Sequence, residues 1–227
     1  MPFLDLAVRV AEVRDRIRAA QTRGGHRQEV TLIAVTKTHG ADAVRAAWDV
    51  GVHDCGENRV QEATAKMAET DVPVRWHLIG HLQRNKASAL GGFALFHALD
   101  SSRLADAASA VGVARGHAVD ALLQVNVLGE TSKGGFALDD VRAEAERLTT
   151  LAGVRIRGVM TMAPLGADER ALRGAFAGAR EARQVLRDVG HPADELSMGM
   201  SNDYEVAVEE GSTMVRLGTA LFGVRDA

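Results

Sequence analysis

The sequence contains one cysteine, one tyrosine and only four lysines among its 27 basic residues. A single cysteine, Cys55, excludes an internal disulfide framework, so we expect a reducing, cytoplasmic environment and a buried thiol. No apolar run approaches the roughly 18 residues that a membrane span requires. The first residues mix acids and arginines at helical spacing, which is unlike a signal peptide. We therefore expect a cytoplasmic protein with no membrane anchor.

A strong charge of either sign is also missing, since the formal net charge is -3 and the computed pI is about 6.2. This balance provides no general attraction to nucleic acid or to anionic membranes. His77 and His81 stand four apart, but a strand and a loop separate them and no H-E-x-x-H motif is present, so we expect no metal. With 227 residues, 46% of them hydrophobic, we expect a single domain over residues 1–227.

Short apolar segments alternate with amphipathic ones along almost the whole chain. An amphipathic helix is predicted over residues 3–20, ending at Gly24 and Gly25. Strands are predicted at about 30–36, 53–55, 74–79, 94–98, 121–127, 155–160, 195–198 and 214–217, and helices at about 41–50, 59–69, 83–90, 102–115, 138–152, 168–189 and 202–210. This alternation favours an α/β fold, a (β/α)8 TIM barrel with an extra N-terminal helix. A doubly wound open sheet is the alternative, but no G-x-G-x-x-G follows the first strand.

Lys37 ends the first predicted strand, in TLIAVTKT. It could simply end the strand and extend its ammonium into solvent. It could also be a Schiff-base lysine, because an amine in apolar surroundings loses affinity for its proton and becomes nucleophilic toward aldehydes. The local sequence leaves both interpretations open.

Active sites of such barrels lie at the C-terminal ends of the strands, so unusual residues there are candidates for the site. They are Lys37, Gly56, Glu57, Asn58, Gly80, His81, Asn126 and Thr161, followed by the loops SMGMSND and LGTALFG. The last two loops commonly hold a phosphate through backbone N–H groups. Gly199, Gly218 and Thr219 favour such a cradle, and Ser201 is either a phosphate ligand or only the N-cap of a helix starting at Asn202.

Arg216 lies inside the apolar eighth strand, MVRLG. An unpaired buried guanidinium is very costly, so an inward-facing Arg216 needs a partner. Two partners are open: a core acid in a structural salt bridge, or a polar ring atom of a ligand.

Six segments carry a family resemblance: AVTKT, GENRVQE, WHLIGHLQRNK, QVN with ETSKGGF, GVMTMAP and SMGMSNDYEVAVEEGSTMVRLGTALFG. Together they resemble the pyridoxal phosphate homeostasis protein family, which is itself similar to the barrel domain of alanine racemases, a type III fold for pyridoxal 5'-phosphate (PLP). The resemblance implies that Lys37 carries PLP as an internal aldimine and that Arg216 faces the pyridine nitrogen. It also implies that Ser201, Gly218 and Thr219 bind the phosphate and that Asn58 lies near the lysine and the ring.

The sequence departs from the family after Lys37, where His39 and Gly40 stand at positions that often hold proline. The stiffness of that loop is therefore an open question. A second lysine, Lys133 in GETSKGG, lies in a loop without the Walker order of residues. Transient acceptance of PLP by a mobile Lys133 is an open hypothesis.

Racemisation requires bases on both faces of the substrate, and alanine racemases take one of them, a tyrosine, from a separate β-domain. The tyrosine of this chain, Tyr204, lies in the predicted helix after the phosphate loop, and the sequence ends soon after Phe222. We expect a non-catalytic monomer that buffers or delivers PLP, with PLP-dependent apoenzymes as candidate recipients. The alternative is a PLP-dependent, racemase-like enzyme with an unidentified second base.

Overall fold

Eight parallel strands close into a barrel in which each strand pairs with its neighbours in chain order, from β1 through β8 and back to β1. The computed structural model describes residues 3–131 and 133–223. The predicted (β/α)8 barrel with an extra N-terminal helix is confirmed. The ends of the predicted single domain, residues 1–2 and 224–227, lie outside the described residues.

The strands are short, as expected for strands covered on both faces. They are β1 Thr31–Val35, β2 Asp54–Glu57, β3 Arg75–Leu78, β4 Leu95–Leu99, β5 Val119–Gln124, β6 Val154–Met160, β7 Glu195–Met200 and β8 Met214–Leu217. The helices are α1 Leu6–Gly24, α2 Ala41–Asp49, α3 Val60–Glu69, α4 Ser102–Arg115, α5 Val141–Leu148, α6 Glu169–Asp188, α7 Tyr204–Glu209 and α8 Thr219–Phe222. Two 3₁₀ helices, Arg84–Gly92 and Leu138–Asp140, complete the elements.

Strand β1 shows how alternation sorts side chains between the barrel interior and the outer layer. Leu32 and Ala34 pack outward with the apolar face of α1, whereas Ile33 belongs to the other apolar cluster. Helix α1 buries Leu6, Val10, Val13, Ile17 and Ala20, which are spaced three or four apart and therefore share one face. By the same alternation, residues two apart from Ile33 along the chain face the barrel axis.

Several observed elements differ from the predicted ones in their bounds or type. The helix predicted over 138–152 ends at Leu148, because the hydroxyls of Thr149 and Thr150 donate back to the carbonyls of Glu146 and Arg147. The segment predicted as a helix over 83–90 is the 3₁₀ helix Arg84–Gly92. Strand β5 starts two residues early and ends at Gln124, and the next residue, Val125, forms an isolated bridge with Phe136. Helix α8 was not predicted. None of the described helices is long and apolar enough to cross a membrane.

Two glycines let α4 approach the turn before β6 at backbone distance. A Cβ on Gly112 would lie 1.9 Å from the carbonyl oxygen of Gly153, and a Cβ on Gly153 would lie 1.9 Å from that of Ser109. The Ser109 hydroxyl in turn accepts the N–H of Gly153 at 3.1 Å. This contact fixes where β6, and with it Thr161, meets the barrel.

We expect Gly112→Ala to lower the free energy of unfolding by about 2–3 kcal/mol, because the added methyl overlaps backbone that cannot move alone. The matched control is Gly174→Ala, also inside a helix, where a Cβ meets nothing within 4 Å. Alanine there should raise stability by up to about 1 kcal/mol. Urea denaturation of both variants measures the difference, and equal effects of the two changes would contradict the close-approach argument.

Candidate functional site

Lys37 leaves the C-terminal end of β1 in a turn at the mouth of the barrel. Lys37 is exposed, whereas residues 32–36 directly before it are buried. Lys37 lies four residues after the inward-facing Ile33, so the alternation of side chains along a strand directs it inward as well. The next residue, Thr38, has φ 71°, the only left-handed non-glycine among the described residues. Such a conformation is costly for a β-branched residue, so the turn is held in place by its surroundings.

The loops after β2 and β3 approach each other beside this turn. A Cβ on Gly80 would lie 2.3 Å from the carbonyl oxygen of Asn58, so only glycine allows the contact. Val35 pairs with Gly56 across the β1–β2 ladder, which brings Asn58 to the rim next to Lys37. The register is consistent with Asn58 lying near Lys37, and its place beside a ring stays a prediction.

The loops after β7 and β8 are joined on the other side of Lys37. The Ser201 hydroxyl accepts the backbone N–H of Ala220 at 3.1 Å. Gly199 has φ 95°, and a Cβ there would lie 2.7 Å from the Cβ of Ala207. The prediction that Ser201 directly precedes a helix at Asn202 is wrong: α7 begins at Tyr204 with Asp203 as its N-cap, and the Asp203 carboxylate accepts the N–H of Met200 at 2.5 Å.

Gly218 and Thr219 stand at the start of α8, next to the serine loop. Gly218 lies beside β1, since a Cβ on it would be 3.6 Å from the carbonyl oxygen of Val35. Helix α8 has only four residues, so the donors here are individual N–H groups of a first turn and not a macrodipole. Ser201, Gly218 and Thr219 thus share one corner of the barrel mouth.

Arg216 is buried inside the barrel, and its partners are neutral. Its Nη1 donates to the Ser197 hydroxyl at 2.6 Å and its Nη2 to the carbonyl oxygen of Thr161 at 3.0 Å. No carboxylate of the described residues lies within ion-pair distance of it, so the salt-bridge interpretation is wrong. Burial lowers the pKa of Arg216 to about 10, although the charge of Asp203 opposes this shift. The guanidinium therefore remains a cation at neutral pH.

A chain of hydrogen bonds runs from Arg216 through the barrel interior to its opposite end. The distances are 2.8 Å from Ser197 Oγ to His97 Nδ1, 2.9 Å from His97 Nε2 to His77 Nδ1, and 2.9 Å from His77 Nε2 to Asp54 Oδ1. Arg75 closes the chain with two bonds to the Asp54 carboxylate, at 2.8 and 2.6 Å. We call Ser197, His97, His77 and Asp54 the polar relay. Its far end, at Asp54 and Arg75, lines a cavity of about 400 Å³ on the side away from Lys37.

When both imidazoles are neutral, the carboxylate of Asp54 fixes the direction of every bond in the polar relay. The carboxylate of Asp54 only accepts, so His77 donates through Nε2 and accepts at Nδ1. His97 must then donate through Nε2 and accept at Nδ1, and the Ser197 hydroxyl donates to it. Ser197 therefore presents only lone pairs to Arg216. The relay thus gives a buried cation an acceptor without placing a second charge beside it.

The electrostatics of the relay agree with this direction. Burial lowers the pKa of His97 well below its ordinary value, with His77 and Arg216 acting in the same sense, so His97 is neutral. Burial alone would raise the pKa of Asp54, but the hydrogen bonds from His77 and Arg75 outweigh it and bring the pKa to about 2. The one carboxylate of the relay, that of Asp54, thus lies far from the barrel mouth.

Residues 8–226 match the family described as alanine racemase, N-terminal domain. The pyridoxal phosphate homeostasis protein of Pseudomonas aeruginosa is 44% identical over 224 residues, covering 97% of this chain and 96% of the relative. That of Aquifex aeolicus is 38% identical over 221 residues, with 96% and 97% covered. The chain belongs to the pyridoxal phosphate homeostasis protein family.

Solved structures agree with this assignment. PipY of Synechococcus elongatus, solved with PLP bound, has a TM-score of 0.85 and 39% identity, covering 96% of this chain and all of that one. The alanine racemase of Corynebacterium glutamicum has a TM-score of 0.71 at 13% identity, covering 93% of this chain and 60% of the enzyme. The second likeness shows the shared barrel fold.

In this member of the pyridoxal phosphate homeostasis protein family, hydrogen bonds hold the Lys133 side chain in place. Its Nζ donates to the Glu130 carboxylate at 2.5 Å and to the carbonyls of Met162 and Ala163 at 3.2 and 2.8 Å. The loop backbone is also held, since the Asn126 side chain donates to the carbonyls of Glu130 and Lys133. Lys133 therefore bridges the loops after β5 and β6 in this structure, and its transient acceptance of PLP stays an open hypothesis.

Aromatic packing stiffens the loop in which the family often has proline. The His39 ring lies 5.8 Å from that of Phe3 and 5.1 Å from that of Phe222, and the two phenylalanine rings are 5.4 Å apart in an edge-to-face contact. These rings join the turn after Lys37 to the segment before α1 and to the end of α8. Tertiary contacts therefore replace the stiffness that proline would give.

Several predicted residues lie elsewhere. Tyr204 is buried in the outer layer with α1 and β8. Cys55 is buried, and burial raises the pKa of its thiol to about 12, as expected for a structural cysteine. His81 is exposed and pairs with Asp100 at 2.7 Å. Within residues 3–131 and 133–223, no three His, Cys, Asp or Glu side chains are grouped as metal ligands would be.

The polar relay was missed by sequence reasoning. Its signal was present as single polar residues inside apolar strands: His77 in WHL, His97 in FHAL and Ser197 in LSM. Each has the inward alternation, and buried polar groups need partners. What the sequence does not show is that His97 of β4 and Ser197 of β7 meet across the barrel, so the four side chains could not be joined into one chain.

We expect Asp54→Asn to lower the free energy of unfolding at pH 7 by about 2 kcal/mol. The folded pKa of Asp54, about 2, lies below the ordinary value of about 3.9. The ionised group therefore stabilises the fold above pH 4, and this contribution is lost as the pH falls toward 2. Urea unfolding at pH 7, 5 and 3 should show the two proteins converging.

The matched control is Asp120→Asn, since Asp120 forms the same two-bond pair with Arg155 but Arg155 and Asp120 lie at the surface. Its removal should change stability by less than about 1 kcal/mol. A loss for Asp54→Asn that is no larger than this, or that does not depend on pH, would contradict the electrostatic account of the relay.

Proposed function

We propose that the protein binds PLP at the C-terminal mouth of the barrel, holds it reversibly on Lys37 as a Schiff base, and buffers or delivers it in the cell. The observation that carries the proposal is the combination of an exposed lysine at the end of β1 with a buried arginine inside β8. Binding of PLP by a relative of 39% identity supports it.

The residues at the barrel mouth fit the three parts of PLP. Ser201, Gly218 and Thr219 form the corner with backbone donors that a phosphate requires. Arg216 is a fixed cation with neutral partners, suited to an acceptor such as a pyridine nitrogen. Asn58 stands at the rim beside Lys37 and is assigned to the ring. When bound, PLP supplies an aldehyde, whose carbon takes the Lys37 amine while the carbonyl oxygen leaves as water.

Arg216 favours a carrier over an enzyme. Because a guanidinium does not readily give up its proton, it discourages protonation of the pyridine nitrogen and weakens the cofactor as an electron sink. The Ser197 hydroxyl, committed to His97, cannot replace it as a proton donor. A second base is also needed for racemisation, and Tyr204 lies in the outer layer. We therefore propose that the protein has no efficient racemase activity.

Exposure of Lys37 supports reversible storage. Water or an incoming amine can reach the carbon bonded to Nζ, and addition of water returns the free aldehyde and the lysine. An enclosed catalytic site would exclude that water. We propose that the protein works as a cytoplasmic monomer and that PLP-dependent apoenzymes receive the cofactor.

Reduction with borohydride after incubation with PLP should place the adduct on the peptide that contains Lys37. The absorbance near roughly 420 nm, expected of a protonated imine, should vanish in Lys37→Ala. Lys133→Ala is the matched control, and it should retain the absorbance and the adduct. An adduct on Lys66, Lys86 or Lys133 of the wild-type protein, in place of Lys37, would contradict the assignment.

Incubation of the PLP-loaded protein with single L-amino acids should leave their chirality unchanged over hours. Chiral chromatography follows the D-enantiomer, with a bona fide alanine racemase as the positive control. Sustained turnover that disappears in Lys37→Ala would replace the carrier proposal with the enzyme alternative.

A further inference from the structure

Behind the Lys37 turn, on the outer side of the barrel, lies a small buried ionic cluster. Lys66 of α3 is buried, and its Nζ donates to the Glu57 carboxylate at 2.6 Å and to the Glu62 carboxylate at 2.9 Å. We call Lys66, Glu57 and Glu62 the α3 clamp. Glu57 ends β2, and Glu62 lies one helical turn before Lys66, so the clamp joins a strand end to a helix.

The clamp bonds to the residues on both sides of Lys37. Before it, the carbonyl oxygen of Thr36 accepts from Lys66 Nζ at 2.7 Å, and the Thr36 hydroxyl donates to Glu57 at 2.5 Å. After it, the backbone N–H of Thr38 donates to the Glu62 carboxylate. Among the described residues, the Lys37 side chain forms no hydrogen bond or ion pair with the clamp, but its two peptide neighbours are held by it.

The backbone of the turn is strained at the point that the clamp holds. Thr38 has φ 71°, which a β-branched residue rarely adopts without compensation. A charge-assisted hydrogen bond from its N–H to Glu62 is the compensation visible in the structure. Strain that is held in this way indicates a constraint on position.

The clamp is also an expensive arrangement for stability alone. One buried ammonium serves two carboxylates, and Glu57 Oε2 is buried with no hydrogen-bond partner among the described residues. Burial raises the pKa of Glu57 despite the bonds from Lys66 and Thr36. Replacement of a buried ion pair by apolar residues of similar size is often neutral or stabilising. Buried polar clusters that lower the stability of a protein are expected next to functional sites.

We propose that Lys66, Glu57 and Glu62 are positioning residues that set the direction in which the Lys37 side chain enters the barrel mouth. This inference rests on the proposed function of Lys37, and nothing in it requires the clamp to touch PLP. Its consequence is that the clamp affects formation of the covalent bond to Lys37 and leaves the binding of the phosphate and ring unaffected. The phosphate corner lies on β7 and β8, whereas the clamp lies on β2 and α3.

The test compares two ligands in two clamp variants, Glu62→Gln and the double variant Lys66→Met with Glu57→Gln. The double variant removes both buried charges together, so no unpaired charge is left in the core. PLP reports covalent capture by absorbance, and pyridoxamine 5'-phosphate, which has an amine in place of the aldehyde, reports non-covalent binding by calorimetry. The matched control is Asp71→Asn, which removes an exposed ion pair with Arg45 of α2 near the other end of α3.

In both clamp variants the affinity for PLP should fall about tenfold, the loss expected for one charge-assisted hydrogen bond that positions a reacting group. Affinity for pyridoxamine 5'-phosphate should stay within about twofold of the wild type, and Asp71→Asn should resemble the wild type with both ligands. Unchanged PLP affinity in the clamp variants would overturn the proposal. An equal loss of both ligands would also overturn it, because it would indicate a general structural role.

A cofactor-free measurement separates failure of this inference from failure of the proposed function. The Thr38 amide should exchange its hydrogen at least about tenfold faster in Glu62→Ala than in the wild type, because its acceptor is removed. Absence of any PLP adduct on wild-type Lys37 would refute the proposed function while leaving this result standing. Equal exchange rates in the two proteins would refute the clamp itself.

Discussion

A buried guanidinium with neutral partners determines how the interior of this barrel is built. Arg216 cannot be neutralised at physiological pH, and an adjacent carboxylate would have cancelled its charge at the barrel mouth. The polar relay gives Arg216 an uncharged acceptor, the Ser197 hydroxyl. Hydrogen bonds through the two histidines connect that hydroxyl to the carboxylate of Asp54 across the barrel. Four strands, β2, β3, β4 and β7, must each place a polar residue on the inner face for this to work. The apolar character of the rest of the core then keeps water away from the chain.

The fold could be predicted because it depends on patterns that a single sequence displays. Eight apolar segments with helices between them, and glycines such as Gly51 and Gly116 that end α2 and α4, fix the order of elements and the class of fold. Boundaries were less certain where local side-chain bonds decide them, as at Thr149 and Thr150. The short α8 has no periodicity to reveal it.

The residues of the candidate site likewise fall into those that could be predicted from the sequence and those that could not. Lys37, Ser201 and Arg216 could be selected because strand ends in a barrel converge at one rim, and the family resemblance assigned roles that periodicity alone left open. The relay and the clamp could not be predicted, since each depends on contacts between residues from 9 to 100 positions apart. Lys66 looked like an ordinary helical lysine with Glu62 four residues before it. Only the packing of α3 on β2 shows that it is buried.

The small number of lysines has a chemical consequence that the positions of their side chains make clear. An aldehyde reacts with any accessible amine, so a protein that stores one needs chemoselectivity as much as affinity. Here Lys66 is buried in an ion cluster and Lys133 is bonded to three oxygens, which removes two of four primary side-chain amines from competition. Arginine supplies the surface charge instead, and guanidinium does not form imines under these conditions. This leaves Lys37 and Lys86 as the side-chain amines open to the proposed capture of PLP.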